Sequence, residues 1–161
     1  MIEITTKMAI KTSADRAYEA FVSADRIGKF WFSESSADWI KGADIILSYK
    51  EFDAKVPIHI EDLRENEKIL LTWGTTADER AVTMTFTEEE AGLTMVEIRE
   101  QGFQEYEDLL SRPELAEIRS FEYEEIIKSL MGGKGGWTFV LTCLKAYLEH
   151  DVTDLREGLL Y

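Results

Sequence analysis

The side chains best suited to acid–base chemistry in this sequence are His59, Glu97 and Tyr49. A general base needs a substrate within hydrogen-bond reach and a neighbour that orients it, so Glu97 or Tyr49 would have to orient His59. His59 lies in a predicted strand over residues 56–60, on the face opposite its apolar side chains, and we expect it to contact solvent. The three residues form no catalytic constellation that the sequence identifies, and we expect binding rather than catalysis.

The cysteine and histidine content gives no indication of a reactive thiol or of a metal site. Cys143 is the single cysteine, and its apolar surroundings predict an inert buried thiol, because a reactive thiolate needs an electropositive environment. The two histidines lie far apart without cysteine partners, which gives no metal-ligand spacing. Residues 88–90, three successive glutamates, lack the alternating ligand positions of a calcium loop. We therefore predict no metal site and no cofactor.

Length and charge narrow the class of protein. A chain of 161 residues, 45% of them hydrophobic, can bury its own core, and no linker divides it, so we expect one domain over residues 1–161. The formal net charge of -14 repels nucleic-acid phosphates and anionic lipid head groups. We see no signal-peptide pattern and no apolar stretch long enough to span a bilayer. We expect a cytoplasmic protein that binds no nucleic acid and has no membrane span.

The N-terminal third of the chain combines strand and helix patterns. Residues 2–11 alternate as a half-buried strand, and residues 14–22 carry an apolar stripe at helical spacing. A second short helix is predicted over residues 24–31 and ends in an aromatic cluster, residues 30–32 (FWF). Two short helices are therefore expected to follow the first strand.

From residue 42 onward the periodicity is that of β-strands. Short alternating runs are separated by polar turns, and a hairpin is predicted around residues 88–92. Short connections exclude parallel strands, which need crossovers of a dozen or more residues. The central part of the chain therefore predicts an antiparallel sheet.

The C-terminal part predicts one long helix. Its apolar stripe at helical spacing consists of Trp137, Val140, Leu141, Leu144 and Leu148. Residues 132–136 (GGKGG) precede this stripe, and each glycine costs about 1 kcal/mol in a helix relative to alanine. Either the helix kinks there or another element approaches it closely, and the sequence leaves both alternatives open.

Residues 104–120 form a charged, partly amphipathic segment between the last strand and the long helix. Ser111 and Glu114 have the spacing of a capping box, so a short helix is predicted. Its inner face would consist of Tyr106, Leu109, Leu110 and Leu115. This segment is either a helical lid insertion over an internal cavity or a surface helix that does not cover it, and the sequence leaves both alternatives open.

The order of these elements resembles the helix-grip fold of START lipid-transfer domains and of the birch-pollen allergen family, within the SRPBCC superfamily. The motifs that narrow the resemblance are residues 14–21 (ADRAYEAF), 30–31 (FW), 70–73 (LLTW), 92–94 (GLT), 102–103 (GF), 136–137 (GW) and 144–150 (LKAYLEH). Nearly end to end, the chain looks like the activator of heat-shock-protein-90 ATPase homologue family. The segment 104–120 departs from the family pattern because it is longer than the usual connection.

The resemblance implies an α+β helix-grip fold, in which a curved antiparallel sheet wraps around the long C-terminal helix and leaves a cavity between them. It implies no shared catalytic residues. Candidate cavity walls are Trp31, Tyr49, Trp73, Met84, Phe86, Phe103, Trp137 and Leu141. Trp39 stands among polar residues and is expected to be partly exposed.

Three functions remain open at this point. The first is non-enzymatic binding of a small hydrophobic or amphipathic ligand, lipid-like or aromatic, in the cavity. The second is a protein-interaction or co-chaperone-like module that contacts a chaperone or another protein, which predicts an interior filled by side chains. The third is a polyketide cyclase/aromatase-like enzyme, which needs a titratable group inside the cavity.

Overall fold

The computed structural model of the protein describes residues 1–112 and 120–158, with residues 120 and 121 as backbone only. In chain order the elements are β1 (Glu3–Ile10), α1 (Ala14–Val22), α2 (Ala24–Ile27), β2 (Glu34–Ser35), β3 (Asp44–Tyr49), a 3-10 turn (Lys50–Phe52), β4 (Ala54–Arg64), β5 (Lys68–Trp73), β6 (Arg80–Glu90), β7 (Leu93–Gln101), α3 (Gln104–Leu110) and α4 (Ser120–His150).

The strands form one antiparallel sheet in the order β1-β7-β6-β5-β4-β3-β2. Strands β2 to β7 follow one another as a meander, and β1 closes the order by pairing with β7 in the register Ile4↔Glu100 and Ile10↔Thr94. Register shifts between Ile60 and Asp62 and between Glu88 and Glu90 mark irregularities of the kind that bend and twist a sheet. The predicted antiparallel, curved sheet is confirmed.

One face of the sheet is buried under helices, and the other faces solvent. Alternate residues of β5, β6 and β7 are fully buried, as period-two strands require when one face packs on a core. Helix α1 packs on β6 and β7, whereas α4 packs on β1. Lys145 of α4 adds a hydrogen bond from its Nζ to the carbonyl oxygen of Ala9, 2.9 Å away. The predicted helix-grip architecture is confirmed.

Helix α4 runs unbroken through the glycine-rich residues 132–136. A Cβ atom on Gly133 would lie 2.7 Å from Cδ1 of Ile4 in β1, so this glycine permits a close approach of helix and sheet. Gly136 has no atom within 4 Å of the position its Cβ would take. Of the two alternatives left open by the sequence, close approach is the one observed at Gly133.

None of the described helices is both long and apolar enough to cross a membrane.

Candidate functional site

A cavity of about 540 Å³ lies between α4 and the sheet, where β5 and β7 end, and it reaches the surface beside the 3-10 turn and the C-terminal segment. Its size is within the roughly 300–1,000 Å³ typical of small-molecule sites. The lining residues are Phe30, Trp31, Phe32, Tyr49, Glu51, Phe52, Trp73, Glu100, Gly133, Gly136, Trp137, Phe139, Val140, Arg156, Glu157 and Gly158.

Three tryptophans form the inner wall: Trp73 in β5, Trp137 in α4 and Trp31 in the segment after α2. Trp73 and Trp137 are stacked, with ring centroids 5.3 Å apart and planes inclined by 17°. Trp31 contacts both, at centroid distances of 6.2 Å from Trp73 and 5.3 Å from Trp137. The ring of Phe32 continues this surface, because its centroid lies 4.8 Å from that of Trp31 and 4.2 Å from that of Tyr49. The wall is therefore a continuous aromatic surface.

Local sequence patterns bring these rings together. Trp73 continues the inward-facing alternation of Ile69 and Leu71 in β5, both fully buried. Trp137 and Val140 lie three residues apart on α4 and therefore share one face. Trp31 follows α2, where the chain turns back towards the core, and it is 4% exposed.

Glu100 is the buried polar group of the wall, and it is only 8% exposed. Its Oε1 accepts a hydrogen bond from Nε1 of Trp73 at 3.1 Å, and its Oε2 accepts one from Nε1 of Trp137 at 2.8 Å. Sequence reasoning missed Glu100. The signal was present, because Glu100 continues the buried alternation of Val96 and Ile98 in β7.

Arg156 ties the C-terminal segment to the rim of the cavity. Its Nε donates to the carbonyl oxygen of Gly28 at 2.8 Å, and a terminal guanidinium nitrogen donates to Glu51 at 2.7 Å. The hydroxyl of Ser33 donates to the other Glu51 oxygen at 2.6 Å. Hydrogen bonds from Ser33 and from the backbone of Glu51, together with the Arg156 guanidinium, lower the pKa of Glu51 to about 2. Glu51 is therefore ionised at neutral pH.

The structure places four of the eight predicted wall residues in this cavity, namely Trp31, Tyr49, Trp73 and Trp137. The other four lie elsewhere. Met84 and Leu141 are fully buried in the core, Phe86 packs against Tyr18 and Phe21, and Phe103 lies under the Arg80 guanidinium. An alternating pattern marks an inward-facing side chain without telling whether packed atoms or open space lie in front of it, so the sequence could not separate the two sets.

Trp39 is 3% exposed, so the expected partial exposure is wrong. Its backbone N–H donates to the carbonyl of Val22 at 2.8 Å, and its indole Nε1 donates to Oγ of Ser35 at 3.3 Å. These contacts fold the segment after β2 onto α1. Trp39 does not line the cavity.

Of the predicted lid over residues 104–120, the structure describes helix α3. The ring of Tyr106 stacks on Phe103 at 5.9 Å, and its hydroxyl donates to Oγ of Ser129 in α4 at 2.7 Å, whereas Leu110 is exposed. No residue of α3 lines the cavity. Glu114 of the capping box and Leu115 of the inner face lie outside the described residues, so the lid over residues 104–120 stays a prediction.

His59 and Glu97 lie on the solvent face of the sheet. Nδ1 of His59 is 2.7 Å from Oδ1 of Asp44, and this hydrogen bond raises the pKa of His59. Glu97 pairs with Lys7 at 2.7 Å and with Arg99 at 3.0 Å, and the hydrogen bond from Lys7 is the main cause that lowers its pKa. Tyr49 is thus the one residue of the three acid–base candidates that lines the cavity. Within the described part of the chain, no group of three or more potential metal ligands comes together.

Cys143 should be unreactive in the folded protein. It is 1% exposed, and burial raises the pKa of its thiol from 9.0 to about 11, which makes the thiolate fraction at neutral pH roughly a hundredfold smaller. We expect slow reaction with a disulfide reagent such as Ellman's reagent in buffer and rapid reaction of one thiol in denaturant. Equal rates in the two conditions would show that Cys143 is accessible.

Comparisons with known proteins identify the family. A family model described as "Activator of Hsp90 ATPase homolog 1-like protein" matches residues 11–149. Curated proteins gave no significant match. Among solved structures, the protein SSP2350 from Staphylococcus saprophyticus is 38% identical over 94% of this chain and 95% of its own, with a TM-score of 0.73.

Two more distant structures share the fold. The Aha1 dimer from Colwellia psychrerythraea is 15% identical over 98% of this chain and 100% of its own, with a TM-score of 0.70. CalU16 from Micromonospora echinospora is 13% identical over 96% of this chain and 81% of its own, with a TM-score of 0.65. With a family model matched over residues 11–149 and a relative 38% identical along nearly its whole length, the chain belongs to the activator of Hsp90 ATPase homologue 1-like family.

Proposed function

We propose that this protein binds a small apolar or amphipathic molecule, without chemical conversion, in the cavity between α4 and the sheet. The observation that carries the proposal is the cavity itself, about 540 Å³ with a continuous aromatic inner wall. Aromatic rings that border open space lack the dispersion contacts that a packed core would provide. A ligand of matching shape restores those contacts and removes apolar surface from water, so occupation is favourable.

The alternatives make different demands on the interior. A protein-interaction module needs only its outer surface. This alternative comes from the family description, which names an activator of the Hsp90 ATPase. Shared fold is weak ground for a shared partner. The cavity favours ligand binding because an interaction module gains nothing from unfilled space in its core. A pull-down with the chaperone at micromolar concentration tests the interaction directly.

A cyclase-like enzyme needs titratable groups inside the cavity. Of the three candidates named from the sequence, His59 and Glu97 lie on the outer face, where each is bonded to an exposed partner. Glu100 is inside, but both of its oxygens accept hydrogen bonds from indole groups of the wall. This arrangement favours a fixed acceptor over a group that exchanges protons with a substrate, so the proposal includes no reaction.

A neutral apolar fluorophore, N-phenyl-1-naphthylamine (NPN), tests the proposal. We expect its fluorescence to rise saturably with protein concentration, with a micromolar dissociation constant. Native mass spectrometry of the same mixture should show one fluorophore per chain. A linear, non-saturable rise and a bare protein mass would contradict cavity binding.

A further inference from the structure

Glu100 and the three cavity tryptophans form one cluster at the inner end of the cavity. The two indole N–H groups that bond Glu100 belong to Trp73 and Trp137, whose rings are stacked, and Trp31 completes the wall at 5.3 Å from Trp137. A buried carboxylate is thus held at the N–H edges of two stacked indole rings, with the ring of Trp31 packed against both. An indole N–H is a donor only, so it fixes the carboxylate and leaves its charge in place.

The negative charge of Glu100 has no cationic partner within the described residues. Its hydrogen-bond partners there are the two neutral indoles, and the carboxylate retains acceptor capacity because each oxygen can accept two hydrogen bonds. Burying a carboxylate without a counter-charge is unfavourable. A group that enters the cavity with a positive charge would relieve this cost.

The other charges of the cavity do not supply that positive group. Its charged lining residues are three carboxylates, Glu51, Glu100 and Glu157, and one guanidinium, that of Arg156. Arg156 is already engaged by Glu51 at 2.7 Å and by the carbonyl of Gly28. The lining is therefore net negative, which disfavours a fatty acid or any other anionic head group.

We propose that the ligand of this cavity is an organic cation, an amine or ammonium group on an apolar body, with the cation at the free acceptor positions of Glu100 and against the ring face of Trp31. Aromatic ring faces attract cations through their quadrupole, most strongly when the rings belong to tryptophan. The apolar body would lie along the outer part of the cavity, against Tyr49 and Phe139. This inference rests on the proposed function and specifies its ligand class.

Three compounds with the same eight-carbon chain test the charge preference, namely octylammonium, octanol and octanoate, each used to displace NPN. In the wild-type protein we expect octylammonium to compete at least about tenfold better than octanoate, with octanol between them. In Glu100→Gln this ratio should fall to within about threefold. The control is Glu90→Gln, which removes the same charge at the exposed hairpin between β6 and β7 and should keep the wild-type ratio.

A second variant keeps the test informative if Glu100→Gln fails to fold by circular dichroism. Trp73→Phe retains a ring but deletes the N–H that occupies Oε1 of Glu100. The freed acceptor should bind the ammonium group more strongly, so the ratio of octylammonium to octanoate should rise. An unchanged or smaller ratio in Trp73→Phe would overturn the inference.

These experiments distinguish a wrong ligand class from the absence of ligand binding in the cavity. If NPN binds saturably and the three compounds compete equally, or if Glu90→Gln lowers the ratio as much as Glu100→Gln, the cavity binds ligands but the assignment of an organic cation is wrong. If NPN does not bind and none of the compounds does, the proposed function fails and this inference fails with it.

Discussion

Gly136→Leu is expected to block the cavity and at the same time to stabilise helix α4. Gly136 lines the cavity, and no atom lies within 4 Å of the position its Cβ would take. A leucine side chain there would project into the ligand space and remove part of it. Because leucine is a far better helix former than glycine, the free energy of unfolding should rise by about 0.5–1 kcal/mol. NPN affinity should fall at least about tenfold, since overlap with a ligand is not tolerated in a close-packed site.

The matched control for this variant is Gly135→Leu. Gly135 is the adjacent residue of the same helix, it is exposed, and it too has no atom within 4 Å of its Cβ position, but it does not line the cavity. The same substitution should therefore give a similar gain in unfolding free energy with unchanged NPN affinity. Wild-type affinity in Gly136→Leu, or equal losses in the two variants, would show that ligands bind elsewhere.

Phe21→Ala is expected to cost about 3–5 kcal/mol of unfolding free energy, the largest effect on stability that we predict. Phe21 is 0% exposed, and its ring lies 5.0 Å from that of Phe30 and 5.9 Å from those of Trp31 and Phe86. The alanine variant leaves a void among these three rings. Since Trp31 is a cavity wall residue, the variant should also weaken NPN binding under conditions in which it remains folded.

Urea denaturation measures this cost, with Ile40→Ala as the control. Ile40 is 65% exposed, and its truncation should change the unfolding free energy by no more than about 0.5 kcal/mol. A loss below about 1 kcal/mol in Phe21→Ala would mean that α1 packs less tightly on the sheet and the cavity wall than the ring distances indicate.

The strands and helices were predictable because burial on one face leaves a periodic trace in the sequence. The alternation of Val82, Met84 and Phe86 and that of Val96 and Ile98 predict one hairpin, and the structure pairs Met84 with Ile98 and Phe86 with Val96. The apolar stripe from Trp137 to Leu148 likewise predicts the C-terminal half of α4. These features depend on neighbours in the sequence, which is why one sequence suffices to predict them.

The cavity was only half predictable, because its extent depends on contacts between residues far apart in the chain. By its residue type, Glu100 is expected on the surface, and only the alternation of buried residues in β7 indicates that it faces inward. Its two indole partners lie 27 and 37 residues away in the sequence. Arg156 belongs to no periodic pattern, and its bonds to Gly28 and Glu51 span 128 and 105 residues. Such contacts leave no local signal.

The measurement that tests the account most directly is NMR of the four tryptophan indole N–H groups during a titration with NPN. Trp31, Trp73 and Trp137 line the cavity, whereas Trp39 donates its indole N–H to Ser35 and serves as an internal reference. We expect the first three signals to shift saturably, together, and the Trp39 signal to stay in place. Unshifted cavity signals at saturating fluorophore, or equal shifts of all four, would contradict ligand binding in this cavity.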